Sequence, residues 1–276
     1  MKFKTTSYHS HLIKDTERLS AFYEAISDYA IKNGINEYRL IKDDNDNLIN
    51  KVVYDLGCGS GILSYFASLY FNSVVGFEKN HRIAKYASEN LESFDNTLIL
   101  EADVLELEGL EKGNLIICEM LDTALIDEEE VPVLNHFREY MEEDCTLIPK
   151  AVNNFAEPIS TDINNISWED PDSNFNYEII GDKIRYSEIN LEEYIDEEFN
   201  QILEFKINKN SIFNGIKITT VTFLGDNIVC GPTPMFNPPL FIPTEKLDVK
   251  SGDTIKIRLK YIMGGGIESI ETKIIR

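Results

Sequence analysis

Residues 52–61, Val52-Val53-Tyr54-Asp55-Leu56-Gly57-Cys58-Gly59-Ser60-Gly61, constrain the fold more than any other stretch of this chain. The first five read as a short buried strand, rich in β-branched and aromatic residues. Glycines spaced G-x-G-x-G then let the backbone turn and come close to a ligand, where a side chain would clash. A helical pattern follows over residues 62–70. Strand, glycine turn and helix open a βαβ unit, and such a crossover delivers a parallel strand. The sequence supplies further strands at 74–77, 97–100 and 115–118, with helical patterns at 81–91 and 131–141. Upstream, Leu12-Ile13, Leu19, Phe22-Tyr23 and Ile26 recur at helical spacing, and the polar run Lys42-Asp43-Asp44-Asn45-Asp46-Asn47 reads as a loop. The expected fold is a doubly wound α/β domain with its parallel sheet covered on both faces.

This rhythm stops near Ile148-Pro149-Lys150. Residues 160–200 are acidic and polar, with Asp170-Pro171-Asp172 and Asp196-Glu197-Glu198. From Ile202 onward, β-rich runs are separated by turn signals: Asn208-Lys209-Asn210, Gly225-Asp226-Asn227, Ser251-Gly252-Asp253 and Gly264-Gly265-Gly266. We therefore divide the 276 residues into an α/β domain over 1–150 and an antiparallel, β-barrel-like domain over 151–276.

Charge narrows the partners. There are 26 Lys and Arg against 48 Asp and Glu, a net −22, of which residues 1–150 carry −14. No basic face is offered to a phosphate backbone, so nucleic acid is disfavoured and a basic protein or a small molecule fits better. Cys58, Cys118, Cys145 and Cys230 lie far apart without a C-x-x-C pair, which suits neither a disulfide framework nor a metal site. A polar N-terminal segment and no apolar run of 18 residues point to a cytoplasmic protein with no membrane partner.

The second strand ends in Glu78, placed to accept hydrogen bonds from ribose hydroxyls. Dinucleotide sites use G-x-G-x-x-G, which leaves room for a pyrophosphate. Here the third glycine, Gly61, arrives one residue early, and the tighter turn suits a ligand without phosphates. With Asp55, the glycine turn, Glu78 and Ala102-Asp103-Val104 in this order, the sequence resembles the class I S-adenosylmethionine-dependent methyltransferases, whose fold is Rossmann-like. Within them, Gly61-Ile62-Leu63-Ser64-Tyr65-Phe66-Ala67 and Glu119 to Glu128 look like the protein arginine methyltransferases, as does a methyltransferase domain followed by a β domain. Leu247-Asp248-Val249-Lys250-Ser251-Gly252-Asp253 is similar to a barrel segment of that family; the likeness is strong over residues 9–130.

The resemblance implies S-adenosyl-L-methionine as cofactor. It implies that Arg18, on Lys14-Asp15-Thr16-Glu17-Arg18, pairs with the cofactor carboxylate, with His9 beside it. Asp55, Gly57, Gly59, Gly61, Glu78 and Asp103 complete that site, and Glu119 and Glu128 orient a substrate guanidinium. Glu119, directly after an apolar strand, is the more specific of the pair, because Asp127-Glu128-Glu129-Glu130 is a run that any solvated face could carry. The chain departs from the family in three places. Its aromatic N-terminal motif is reduced to Phe3, the tryptophan after the first glutamate is Met120, and the Thr-His-Trp loop aligns with Pro234-Met235-Phe236. Met120, Met235 and Phe236 would then line the substrate pocket. The dimerisation arm looks curtailed unless residues 167–186, with Trp168, serve a homodimer. Asn237-Pro238-Pro239-Leu240 reads as a loop, and Cys58 as a small residue that the turn needs. Arginine on a basic protein is the favoured acceptor. RNA or small-molecule methylation, and a non-catalytic binding module, are the alternatives.

Overall fold

A computed structural model describes residues 3–35, 48–169 and 175–275. The loop expected at 42–47 and the acidic Asp170-Pro171-Asp172 lie outside the described residues. Two compact units share the chain. One comprises Met1–Met120, Val133–Lys150 and Phe223–Cys230; the other Leu121–Pro132, Ala151–Thr222 and Gly231–Arg276. Where the sequence suggests a single cut at 150, the observed division is discontinuous, because contacts assign 121–132 and 223–230 away from their sequence neighbours.

The first unit holds helices Ser7–Lys14 (α1) and Thr16–Lys32 (α2), then strand Ile49–Leu56 (β1), helix Ile62–Ser68 (α3) and strand Phe71–Glu78 (β2). Helix His81–Leu91 (α4), strands Thr97–Glu101 (β3) and Gly113–Cys118 (β4), helix Glu130–Phe137 (α5), which belongs to this unit from Val133 on, and strand Met141–Ile148 (β5) follow. The strands are parallel in the order β3-β2-β1-β4-β5, the doubly wound sheet that the strand–helix alternation predicts. β1 sits at the centre, with Asp55 beside Gly76 of β2 and Ile117 of β4. Its carboxyl end and the glycine turn therefore lie where the strand order reverses, the position at which open α/β sheets bind ligands. α2 buries Arg18, Ala21, Phe22, Ala25, Ile26, Tyr29 and Ala30 at helical spacing, and the Asp15 side chain caps its start by accepting the Arg18 backbone N–H at 3.1 Å.

One expected element is corrected. The helix predicted over 131–141 ends at Phe137, a 3₁₀ turn covers Arg138–Tyr140, and Met141 begins β5. β5 is an edge strand with exposed Glu142, Glu143 and Asp144, so it lacks the apolar run that marks a buried strand.

In the second unit, Ala151–Thr161 (β6), Ser167–Trp168 (β7), Tyr177–Ile179 (β8), Ile184–Asn190 (β9), Glu198–Lys206 (β10) and Ser211–Phe223 (β11) precede Leu240–Val249 (β13), Thr254–Ile262 (β14) and Glu271–Ile275 (β15). The short strand Val229–Cys230 (β12) belongs to the first unit. One sheet runs β7-β13-β11-β6, with β8 and β9 pairing successive parts of β6; the other is the antiparallel set β10-β14-β15. β14 alternates buried and exposed residues along its length, the mark of a sheet with one dry face. Residues 167–186, considered above as an arm, lie in this sheet through β7, whose Trp168 pairs with Leu240, and through β8 and β9.

Candidate active site

The turn after β1 is built on left-handed backbone at Gly57 (φ 69°), Gly59 (φ 54°) and Gly61 (φ 82°). A Cβ at Gly57 would stand 2.7 Å from Met120 Sδ, and one at Gly59 would stand 3.0 Å from the His9 ring. Both glycines are thus required by conformation, and a Cβ at either would also press on a neighbouring side chain. The Gly59 N–H donates to Glu78 Oε2 at 3.1 Å, and the Asn80 N–H to Glu78 Oε1 at 2.8 Å. The Glu78 carboxylate therefore ties the glycine turn to the end of β2, and each oxygen keeps a lone pair for a further donor.

Asp55, 1% exposed, ends β1 beneath this turn and accepts a bond from Ser64 Oγ of α3 at 2.6 Å. Burial pushes its carboxyl up to about 7, against the lowering effect of Ser64. Between its ordinary value of 3.8 and 7, the folded chain holds this proton while the unfolded chain has lost it. The stability that the neutral acid contributes is therefore full below about pH 4 and lost as pH rises through 7. The thermal midpoint should fall from pH 5 to pH 8, with Asp55 accounting for on the order of 3 kcal/mol at about 1.4 kcal/mol per unit. Asp55→Asn should flatten that fall; equal slopes in the two proteins would show Asp55 ionised throughout.

Arg18 is 3% exposed and donates from Nη2 to Glu119 Oε2, the carboxylate directly after β4. Among the described residues, its Nε and Nη1 are buried with no hydrogen-bond partner. Burial disfavours the charge, but the Glu119 carboxylate outweighs it and the pKa is raised. Two unused donors on a buried guanidinium form a fork that fits a second carboxylate. His9 bonds through Nδ1 to Thr6 Oγ1 at 2.8 Å, and burial lowers its pKa, favouring the neutral ring. Asp103 follows β3 and caps the 3₁₀ turn Val104–Glu106 by accepting the Leu105 N–H at 3.0 Å.

The first unit thus brings together Asp55, the glycine turn, Glu78, His9, Met120, Arg18 and Glu119. Glu128, Met235 and Phe236 lie in the second unit. Glu128 is exposed. Met235 is half-buried, and its N–H donates to Thr233 Oγ1. Phe236, 1% exposed, closes a tight turn with Thr233 through reciprocal backbone bonds, so it supports that turn from within the core. Asn237 is fully buried and donates to Thr222 Oγ1 at 2.8 Å. Asn237-Pro238-Pro239-Leu240 is accordingly a structural loop.

Two contributors escape the sequence reading. Ser64, on the first turn of α3, is recognisable only once Asp55 is known to lie beneath it. The other is the anchoring of the stretch after Glu119, where Ala124 (φ 64°) and Leu125 (φ 61°) are consecutive left-handed residues. Each costs about 1–2 kcal/mol for a side chain larger than glycine's. The Ala124 N–H donates to Thr220 Oγ1 at 2.8 Å, and Thr220 Oγ1 donates to Asn154 Oδ1 at 2.6 Å. The Leu125 and Ile126 carbonyls accept the Gly264 and Gly266 N–H groups, both at 2.9 Å. Such partners, dozens of residues away, leave no local signal.

No protein-family model matches the chain. An uncharacterised protein of Methanothermobacter thermautotrophicus is 42% identical over 275 residues, all of both chains. The chain belongs to this archaeal family. An uncharacterised protein of Methanocaldococcus jannaschii is a further member, 32% identical over 278 residues and 99% of each chain. Outside the family, the histone-arginine methyltransferase CARMER of Anopheles gambiae is 27% identical over 114 residues, which are 40% of this chain but 18% of that protein. In three dimensions, the Trypanosoma brucei PRMT1 enzyme–prozyme heterotetrameric complex with AdoHcy contains a similar chain. It has a TM-score of 0.73 at 18% identity, covering 92% of this chain and 87% of that one. The archaeal family therefore has the fold of the protein arginine methyltransferases. Among the described residues, no helix is long and apolar enough to cross a membrane.

Proposed function

We propose that the chain is an S-adenosylmethionine-dependent methyltransferase that modifies arginine on a basic protein. The observation that carries this is the buried Arg18–Glu119 pair beside the glycine turn, with two Arg18 donors unused. Those donors suit the amino-acid carboxylate of the methyl donor, and the Glu78 oxygens suit ribose hydroxyls. The left-handed backbone at Gly57 and Gly59 turns the chain close past Met120 and His9. Asp55, Gly61, His9 and Asp103 complete this proposed set, which fits the cofactor without a phosphate site. When bound, S-adenosylmethionine supplies a methyl group on an electrophilic sulfonium. Similar proteins support the reading: one, alike over part of its sequence, is a histone-arginine methyltransferase by name, and the solved neighbour of like fold is complexed with AdoHcy.

The residues' task is alignment. A guanidinium is always protonated and its lone pairs are delocalised. The carboxylates of Glu119 and Glu128 are proposed to bond its N–H groups, which fixes its plane and draws charge to the bonded nitrogens. The remaining nitrogen is then the better nucleophile, and a carboxylate can take the proton it releases after transfer. Arg18, by holding Glu119, would set that carboxylate's direction. Met120, Met235 and Phe236 are proposed as apolar lining of the acceptor pocket. The net charge of −22 favours encounter with a Lys/Arg-rich protein.

Calorimetry on the full chain tests the cofactor: S-adenosylmethionine and its demethylated product should bind and NAD should not. Glu78→Ala should weaken binding by roughly 1.5–3 kcal/mol, the scale of a lost hydrogen bond to a charged group. Tight NAD binding with no response to S-adenosylmethionine would overturn the assignment. For the acceptor, a native lysate incubated with methyl-labelled cofactor should yield label on arginine of a basic protein, less at high salt. Label removed by ribonuclease but resistant to protease would establish RNA as acceptor instead.

A further inference from the structure

We propose that Asp122 is a positioning residue, whose carboxyl group folds residues 122–128 back on themselves and so sets where Glu128 presents its side chain. The inference rests on the assignment of Glu128 to the acceptor. Asp122, 7% exposed, accepts the Glu128 backbone N–H on Oδ1 at 3.3 Å, six residues along the chain. Thr123 Oγ1 donates to the Pro238 carbonyl at 2.6 Å, and residues 124–126 are held as described above. Those bonds fix residues 123–126; the bond from Asp122 carries the same anchoring on to Glu128.

Asp122 Oδ2 is buried with no partner among the described residues, and the hydroxyls of Tyr186 on β9 and Tyr261 on β14 are buried against each other. Both tyrosines feel the Asp122 charge. Burial pushes the Asp122 carboxyl up to about 7. The Asp127 and Glu128 backbone N–H groups pull it down, and the Asp127 and Glu128 charges raise it. A neutral carboxylic acid and a carboxamide both present an Oδ1 acceptor, so asparagine is the conservative rescue.

Hydrogen exchange at the Glu128 amide, measured on the full chain, needs no catalysis. Asp122→Ala should speed exchange there by about 10-fold, and Asp122→Asn should restore protection. With an arginine-containing basic protein as acceptor, Asp122→Ala should raise the acceptor KM by about 10-fold while donor affinity in calorimetry stays unchanged; asparagine should again rescue. Should Asp122→Ala fail to fold, Asp122→Ser, polar but shorter, carries the same expectation. Unchanged exchange at Glu128 overturns the proposal whatever the activity. Faster exchange with unchanged acceptor kinetics overturns the link to the acceptor. A wild-type protein that methylates no arginine would remove the acceptor role from Glu128, while the exchange experiment still decides what Asp122 holds.

Discussion

Glu119→Gln is expected to lower turnover by on the order of 10²-fold or more while leaving donor affinity nearly unchanged. The variant keeps the shape and a hydrogen-bond acceptor but loses the negative charge, which the proposed reaction needs mainly in the transition state. Stability should fall as well. Arg18 is 3% exposed and Glu119 is 13% exposed, so the substitution leaves a buried cation facing only a neutral amide. Deleting one partner of a buried pair costs about 3–5 kcal/mol, and the retained carbonyl recovers part of that. A net loss of about 2–3 kcal/mol corresponds to a fall of roughly 5–10 °C in the thermal midpoint of a chain this size. Steady-state kinetics and a melting curve measured side by side separate the two effects. Full activity in Glu119→Gln would sink the arginine reading and favour a thiol or hydroxyl acceptor.

Arg18→Met should weaken S-adenosylmethionine and its demethylated product alike, by about 100-fold. Truncating one partner of a buried, hydrogen-bonded charge pair costs 2–5 kcal/mol, and the proposed carboxylate of the donor would lose both free N–H groups of Arg18. Adenosine, which has no carboxylate, is the control, and its affinity should be the same in both proteins. If adenosine weakens as much as the methyl donor, Arg18 acts by shaping α2 and not by pairing with a carboxylate.

The parts of this protein legible in the sequence are those whose cause is local. β1 and its turn could be read because an apolar run meets three glycines, and each of those glycines is left-handed in the structure. Arg18 could be singled out only by resemblance, since a lone arginine in a helical pattern reads as a surface residue; its burial depends on Glu119, 101 positions away. β5 has no strand signature in the sequence, because an edge strand can be polar on its open side, which erases the contrast with the preceding helix. Phe236 is 1% exposed, and the sequence of a turn does not say which of its residues faces inward. Asp122 carries no local sign of its burial: the groups that feel its charge, Tyr186 and Tyr261, are distant in the chain and only the tertiary fold brings them near.

The assignment of residues 121–132 to the second unit has a consequence for chimeras. A recombinant exchange of β regions between archaeal relatives, joined at a single point near residue 150, would pair a 121–132 segment from one parent with Thr220, Pro238, Gly264 and Gly266 from the other. Two left-handed, non-glycine residues would then depend on a foreign set of anchors. A three-junction graft, cutting after Met120, before Val133 and near residue 150, carries that short segment with its own sheets and keeps the anchors together. The transferable module is interrupted in sequence, and its first piece is twelve residues inserted in the middle of the other unit.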